Sequence, residues 1–199
     1  MPQNPVVRLI AAVALVLAVV AALLLYTPLG RQLWQGAGDG GVALIGGPFH
    51  LTDQNGQIRR EADFRGQFTL VFFGYSNCPD VCPTTLQTIT AALEKLGPDA
   101  AKVTPIFITV DPERDTPQVL KAYAANFTPR LVALSGSAEE IAAAAKAYRI
   151  YFKKVGEGAD YAMDHTALIY VMGPDGRYLA HFSPEATADD IVKDLRQRF

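Results

Sequence analysis

The chain has 199 residues, half of them hydrophobic and 19% charged, with a formal net charge of −2. So balanced a charge, with no basic patch interleaved with aromatics, argues against nucleic acid as a partner. The length suffices for one good hydrophobic core without staples, and there are only two cysteines to cross-link.

Leu9 to Leu25 is a run of 17 residues without a polar side chain. That is at the short end of the roughly 17–25 residues needed to span a bilayer. Arg8 precedes the run and Arg31 follows it, a small bias that favours the N-terminus inside. A cleaved signal peptide has a shorter apolar core, about 7–15 residues, and a small-x-small site. Leu23-Leu24-Leu25-Tyr26-Thr27-Pro28 offers no such site. The expectation is an uncleaved transmembrane helix within residues 1–30, a linker over 31–44 and a soluble domain over 45–199. The start is not Arg- and Ser-rich like a transit peptide. This points to a single-pass anchor in a bacterial inner membrane, with the soluble domain in the periplasm.

Phe49 to Thr52 and Gln57 to Arg59 flank Asp53-Gln54-Asn55-Gly56, whose Asn-Gly predicts an N-terminal hairpin. Phe68 to Tyr75 reads as a strand buried on both faces. A helix is predicted from about Asp80 to Leu96, ending at Gly97-Pro98. Cys82, Leu86, Ile89, Leu93 and Leu96 share its buried face, and Cys78 sits on the more exposed turn before it. Val103 to Val110 is a strand, and Thr116-Pro117 starts a helix that runs to about Asn126. Leu131 to Leu134 is a strand, and Ser137 with Glu140 forms a capping box for a helix to Tyr148. His165 to Met172 and Arg177 to Phe182 form a second hairpin around Gly173-Pro174-Asp175-Gly176. A final helix begins at Thr187 and includes Ile191, Val192 and Leu195. This alternation predicts an α/β domain, a mixed sheet with helices on its faces.

The two cysteines lie in Cys78-Pro79-Asp80-Val81-Cys82-Pro83, at the turn from strand to helix. The positive end of a helix dipole favours thiolate there. Such a pair either binds a soft metal or exchanges electrons as a disulfide. Closing so short a loop would contribute only about 2 kcal/mol, a poor reason for a purely structural disulfide. Thioredoxin-type motifs have two residues between the cysteines, and this chain has three.

Gly74-Tyr75-x-x-Cys78-Pro79-Asp80-Val81-Cys82-Pro83 resembles the signature of the Sco/SenC family. Those are membrane-anchored, thioredoxin-like copper proteins that assemble cytochrome c oxidase. Asp111-Pro112-Glu113-Arg114-Asp115-Thr116-Pro117 resembles a second family stretch. Asp164-His165-Thr166-Ala167 running into Gly173-Pro174-Asp175-Gly176 resembles a third, collinear over about residues 45–199. The resemblance implies a thioredoxin-like fold and copper, Cu(I) or Cu(II), held by Cys78, Cys82 and His165. It implies a metallochaperone supplied by a periplasmic copper donor and serving the binuclear copper site of oxidase subunit II or another acceptor. The rival reading is an enzyme, a thiol-disulfide oxidoreductase using Cys78 and Cys82 to reduce the acceptor's cysteines. A peroxiredoxin-like peroxidase and a structural zinc site are weaker readings, the latter because zinc usually takes four ligands. Many relatives have Thr-His where this chain has Ser76-Asn77.

His50 and His181 read as ordinary satisfied strand residues. His165 follows the glycine-bearing segment Gly156 to Asp160, expected to be a mobile arm. Asp164 is a candidate to orient the imidazole or add an axial oxygen, and Met163 a weaker axial candidate. Pro79 shapes the turn, and Asp80 is the expected helix cap. The block from Asp111 to Pro117 is expected to support the adjacent loop through Arg114–carboxylate contacts. Lys153-Lys154 reads as a solvated face.

Overall fold

The structure, a computed structural model, describes residues 9, 12–17, 19, 20, 22, 45–158 and 160–199. Two compact units divide the chain, Met1–Ala43 and Leu44–Phe199. The described residues of the first unit are helical and exposed. The expected anchor and linker fall largely outside the described residues. Among the described residues no helix is long and apolar enough to cross a membrane.

The second unit is built on a seven-stranded sheet in the order β2-β1-β5-β4-β3-β8-β9. The strands are β1 (His50–Asp53), β2 (Ile58–Arg60), β3 (Phe68–Gly74), β4 (Val103–Thr109), β5 (Val132–Ser135), β8 (Ile169–Met172) and β9 (Tyr178–Phe182). Four helices flank it: α1 (Val81–Leu96), α2 (Pro117–Ala124), α3 (Ala138–Ala147) and α4 (Ala188–Arg196). The three strands β3, β4 and β5 run parallel, joined through α1 and α2, and the remaining pairs are antiparallel. This is the mixed sheet with flanking helices that the alternation predicts, consistent with the thioredoxin-like fold that the resemblance implies.

Every residue of β3 is buried, as its unbroken apolar run requires of a strand covered on both faces. Phe72 and Phe107 stand opposite each other in the parallel ladder and pack ring to ring at 6.2 Å. Hydroxyls that accept a backbone N–H start three helices. Thr116 caps α2, Ser137 caps α3 and Thr187 caps α4, the last two as full capping boxes with Glu140 and Asp190.

One expectation needs correcting. His165 does not begin the strand that runs to Met172. It ends β7 (Ala162–His165), which pairs with β6 (Phe152–Val155) in a separate two-stranded ribbon. Residues 166–168 break the path, because β7 bonds to β6 whereas β8 bonds to β3. The Thr166 N–H donates to the Tyr151 carbonyl at 2.9 Å and closes that end of the ribbon. The segment expected to be a mobile arm is the turn of this ribbon, with Gly156 at φ +97° and Gly158 at φ +76°.

Candidate metal and thiol site

β3 and β4 end level, Gly74 opposite Thr109, so the loops after them emerge side by side. This is the carboxyl end of the parallel strands, where open α/β sheets place their sites. One loop carries Tyr75 to Asp80 and the other Val110 to Asp115. Asp115, fully buried, joins them. Its carboxylate accepts the Ser76 N–H at 2.9 Å, the Ser76 hydroxyl, and the Thr109 hydroxyl at 2.6 Å.

Cys82 lies in the first turn of α1 and is completely buried. A Cβ added at Gly74 would stand 2.8 Å from Cys82 Sγ and 2.9 Å from the Phe107 ring. Only glycine lets the end of β3 come this close to the sulfur. Cys78 is half-buried, and both thiols are free. Asp80 occupies the N-cap position, but its side chain accepts no backbone hydrogen bond there, contrary to expectation. The Cys78 sulfur takes that place, facing the backbone N–H groups of Asp80 and Cys82.

The two thiols are thereby set apart. The Cys78 thiol is lowered to about 5, first by the hydrogen bond from Cys82, against the cost of burial, and then by those N–H groups and His165. Cys82 is pushed up, first by its bond to Cys78 and then by burial. Cys78 is thus the thiolate and Cys82 the proton-bearing partner.

His165 Nε2 stands 3.5 Å from Cys82 Sγ. Its Nδ1 lies 3.1 Å from the Thr166 carbonyl oxygen, which can only accept, so Nδ1 carries the hydrogen. The Nε2 lone pair is left facing the sulfur. Tyr75, 4% exposed, meets the imidazole edge-on with ring centroids 5.9 Å apart. Its phenol is raised by burial and hydrogen-bonds both Cys78 and the Met163 main chain.

Tertiary structure therefore brings Cys78, Cys82 and His165 into one neighbourhood. Two ligands of one first-row metal, at about 2.3 Å for sulfur and about 2.0 Å for nitrogen, lie about 3.5 Å apart at a tetrahedral angle. Cys82 and His165 already have that spacing. Among the described residues, no group of three or more His, Cys, Asp or Glu is set to hold a metal ion as it stands. The three donors adjoin without yet closing around one point. Two sulfurs and an imidazole suit a soft first-row ion.

Several residues fall elsewhere than expected. Asp164 is exposed on the face of β7 opposite to His165, so it neither orients the imidazole nor approaches the thiols. Met163 shares the inward face with His165, two residues away. Lys154 is more than a solvated face, since its ammonium stands 3.7 Å from the Tyr161 ring and pairs with Glu113 at 3.2 Å. His50 lies 3.4 Å from Glu140, and His181 bonds the Tyr178 hydroxyl, both away from the site.

Arg114 pairs with Asp111, and both help hold Tyr161. Burial, then the bond to Asp111, pushes the Tyr161 phenol up to about 12. Tyr75 and Tyr161 were missed as site residues, and Asp115 was read only as part of the block that supports the adjacent loop, which it does through Ser76. Tyr75 lies within the cysteine motif and Asp115 within the second quoted stretch, the only signals that could have found them.

A family model described as SCO1/SenC matches residues 38–199. The chain belongs to the SCO1/SenC family. Among SCO1/SenC relatives, the SCO2-like protein RP587 of Rickettsia prowazekii is 40% identical over 75% of this chain and 74% of its own length. The mitochondrial SCO2 homolog of Mus musculus is 42% identical over 76% of this chain, and the match spans only 61% of that protein. ScoI of Bradyrhizobium japonicum, solved with copper bound, superposes with a TM-score of 0.73 at 51% identity. That match covers 78% of this chain and 99% of the solved one. BsSco, described with a disulfide switch and as a member of the Sco family of cytochrome c oxidase assembly proteins, superposes with a TM-score of 0.64. It is 31% identical, over 77% of this chain and 93% of its own.

Proposed function

We propose that this chain is a copper carrier. Cys78, Cys82 and His165 take up the ion, and the chain passes it on during assembly of cytochrome c oxidase. The acceptor is the binuclear copper site of subunit II or another copper protein. Residues 45–199 form the copper domain, and residues 1–30 anchor it, through the linker 31–44, to a bacterial inner membrane with the domain in the periplasm. The observation that carries the reading is the 3.5 Å approach of His165 Nε2 to Cys82 Sγ. Copper bound to a relative 51% identical supports the choice of cargo.

The asymmetry of the thiols suggests the order of contact. Cys78, the thiolate and the more exposed sulfur, meets the ion first. Cys82 then gives up its S–H proton, which leaves to solvent, and becomes the second sulfur donor. His165 adds its Nε2 lone pair while Nδ1–H stays on the Thr166 carbonyl. Thiolates suit Cu(I), and the added imidazole lets Cu(II) be held as well.

A second reading is favoured by the same asymmetry. A half-buried, more accessible thiolate beside a buried protonated thiol is the arrangement of a dithiol reductant. Attack by Cys78 on a partner disulfide forms a mixed disulfide, and Cys82, losing its proton, displaces the partner thiolate. Two electrons pass to the partner, and Cys78–Cys82 is left as the disulfide.

Replacing His165 with Ala separates the two. Loss of Cu(II) uptake with disulfide exchange intact is the expected result. Unchanged copper affinity would overturn the three-ligand reading.

A further inference from the structure

Tyr161, Met163 and His165 alternate with the exposed Ala162 and Asp164, so they lie on one face of the ribbon. At one end His165 rests on Cys82. At the other end Tyr161, 6% exposed, is gripped from several sides. The Arg114 guanidinium lies 3.6 Å from its ring centroid and donates from Nη1 to its carbonyl at 2.9 Å. Its hydroxyl donates to Asp111 at 2.7 Å, and Asp111 is itself 3% exposed and paired with Arg114.

Between those ends Phe152 and Met163 pack against the edge of the core, the Tyr75 hydroxyl bonds the Met163 main chain, and Lys154 pairs with Glu113. A cavity of about 300 Å³ lies beneath the ribbon, with Phe152, Lys154 and Met163 on the ribbon side and Val110, Pro112 and Ile141 opposite. The ribbon shares no strand pairing with the main sheet. Of its contacts with the domain, the one at Tyr161 combines a buried ring, a cation over its face and hydrogen bonds at both its main chain and its hydroxyl.

We propose that Tyr161, gripped by Arg114 and Asp111, is a positioning residue that sets the reach of His165 onto Cys82. From Tyr161 to His165 is four steps of an extended chain, about 13 Å. A swing of about 15° about the gripped end would carry the imidazole through about 3.4 Å over that length. That displacement is as large as the Cys82–His165 separation itself. The grip thus decides whether the nitrogen donor meets the sulfurs, although it touches none of them.

The inference rests on the proposed role of His165, so the test has an arm free of copper. In the full chain, hydrogen exchange is followed for the β6 and β7 amides in metal-free wild type, Tyr161→Ala and Tyr161→Phe. Binding of Cu(II) and Cu(I), each added as the ion alone, is measured in parallel with His165→Ala.

Tyr161→Ala is expected to speed exchange in β6 and β7 about tenfold, with β3 and β4 unchanged. It is also expected to weaken Cu(II) binding about tenfold or more while one-to-one Cu(I) binding persists. Tyr161→Phe keeps the ring and its cations and loses only the hydroxyl's bonds to Asp111 and Glu113, so it should fall between and restore most of the affinity. Unchanged ribbon exchange in both variants overturns the proposal, as does faster exchange spread evenly over the domain. If Tyr161→Ala does not fold, Tyr161→Phe decides by the same two criteria. Should His165→Ala keep its Cu(II) affinity, the ligand reading fails, and the ribbon exchange still decides the grip.

Discussion

Cys82 and His165 are 83 residues apart in the chain, yet Sγ and Nε2 stand 3.5 Å apart. Two separate structures make that contact. Helix α1 begins under the end of β3, and a two-stranded ribbon leans over it from outside the main sheet.

The thiol pair should react unequally. Cys78 is lowered to about 5 and Cys82 is raised. In the reduced, metal-free protein, iodoacetamide should modify Cys78 at pH 6 and leave Cys82 untouched. Cys82→Ala removes the leading cause of the lowering, so the pH midpoint of Cys78 alkylation should move up. Equal labelling of both cysteines would contradict this.

Stability should follow the same group. The folded value of Cys78, about 5, lies below its ordinary value of 9.0. The thiolate is therefore favoured by the fold. Its stabilising contribution is complete above the unfolded value and is lost as pH falls through the folded one. The Tm difference between wild type and Cys78→Ser should be larger at pH 8 than at pH 5, read by thermal scans in the reduced state.

Gly74→Ala places a methyl group 2.8 Å from Cys82 Sγ and 2.9 Å from the Phe107 ring. Neither neighbour is a free-ended flexible chain, so the overpacking should cost about 1–3 kcal/mol. Urea denaturation measures the loss. A shift of the His165 ring resonances would report the sulfur's displacement.

Asp115→Ala leaves the Ser76 N–H and the Thr109 hydroxyl without their buried acceptor. Each orphaned group costs about 1–3 kcal/mol. The cysteine loop should loosen as well, seen as faster amide exchange at residues 76–78.

Asp164→Ala should change copper affinity by less than about twofold, as exposed substitutions away from special features usually do. Asp164 faces solvent on the side of β7 away from His165. A tenfold loss by titration would mean that the carboxylate reaches the ion.

The sheet and its helices were legible because their causes are local. The apolar run of β3, the spacing of Cys82, Leu86, Ile89, Leu93 and Leu96, and the hydroxyls at Thr116, Ser137 and Thr187 each act within a few residues. The ribbon was not legible. Phe152-Lys153-Lys154-Val155 has no clean alternation, since only Phe152 of that strand is partly buried and the other three residues are exposed.

By itself the sequence determined the thiol pair, its place at a strand-to-helix turn and the helix that follows. Cys78 and Cys82 are four residues apart, one just before the helix and one in its first turn, and so short a stretch of chain keeps them close. Only the tertiary structure decided that His165 reaches Cys82, that Asp164 turns away, and that Asp115, Tyr75 and Tyr161 support the site. Those contacts join residues tens of positions apart. They depend on which strands share a sheet and on which face of β7 turns inward, and no short stretch of sequence encodes either.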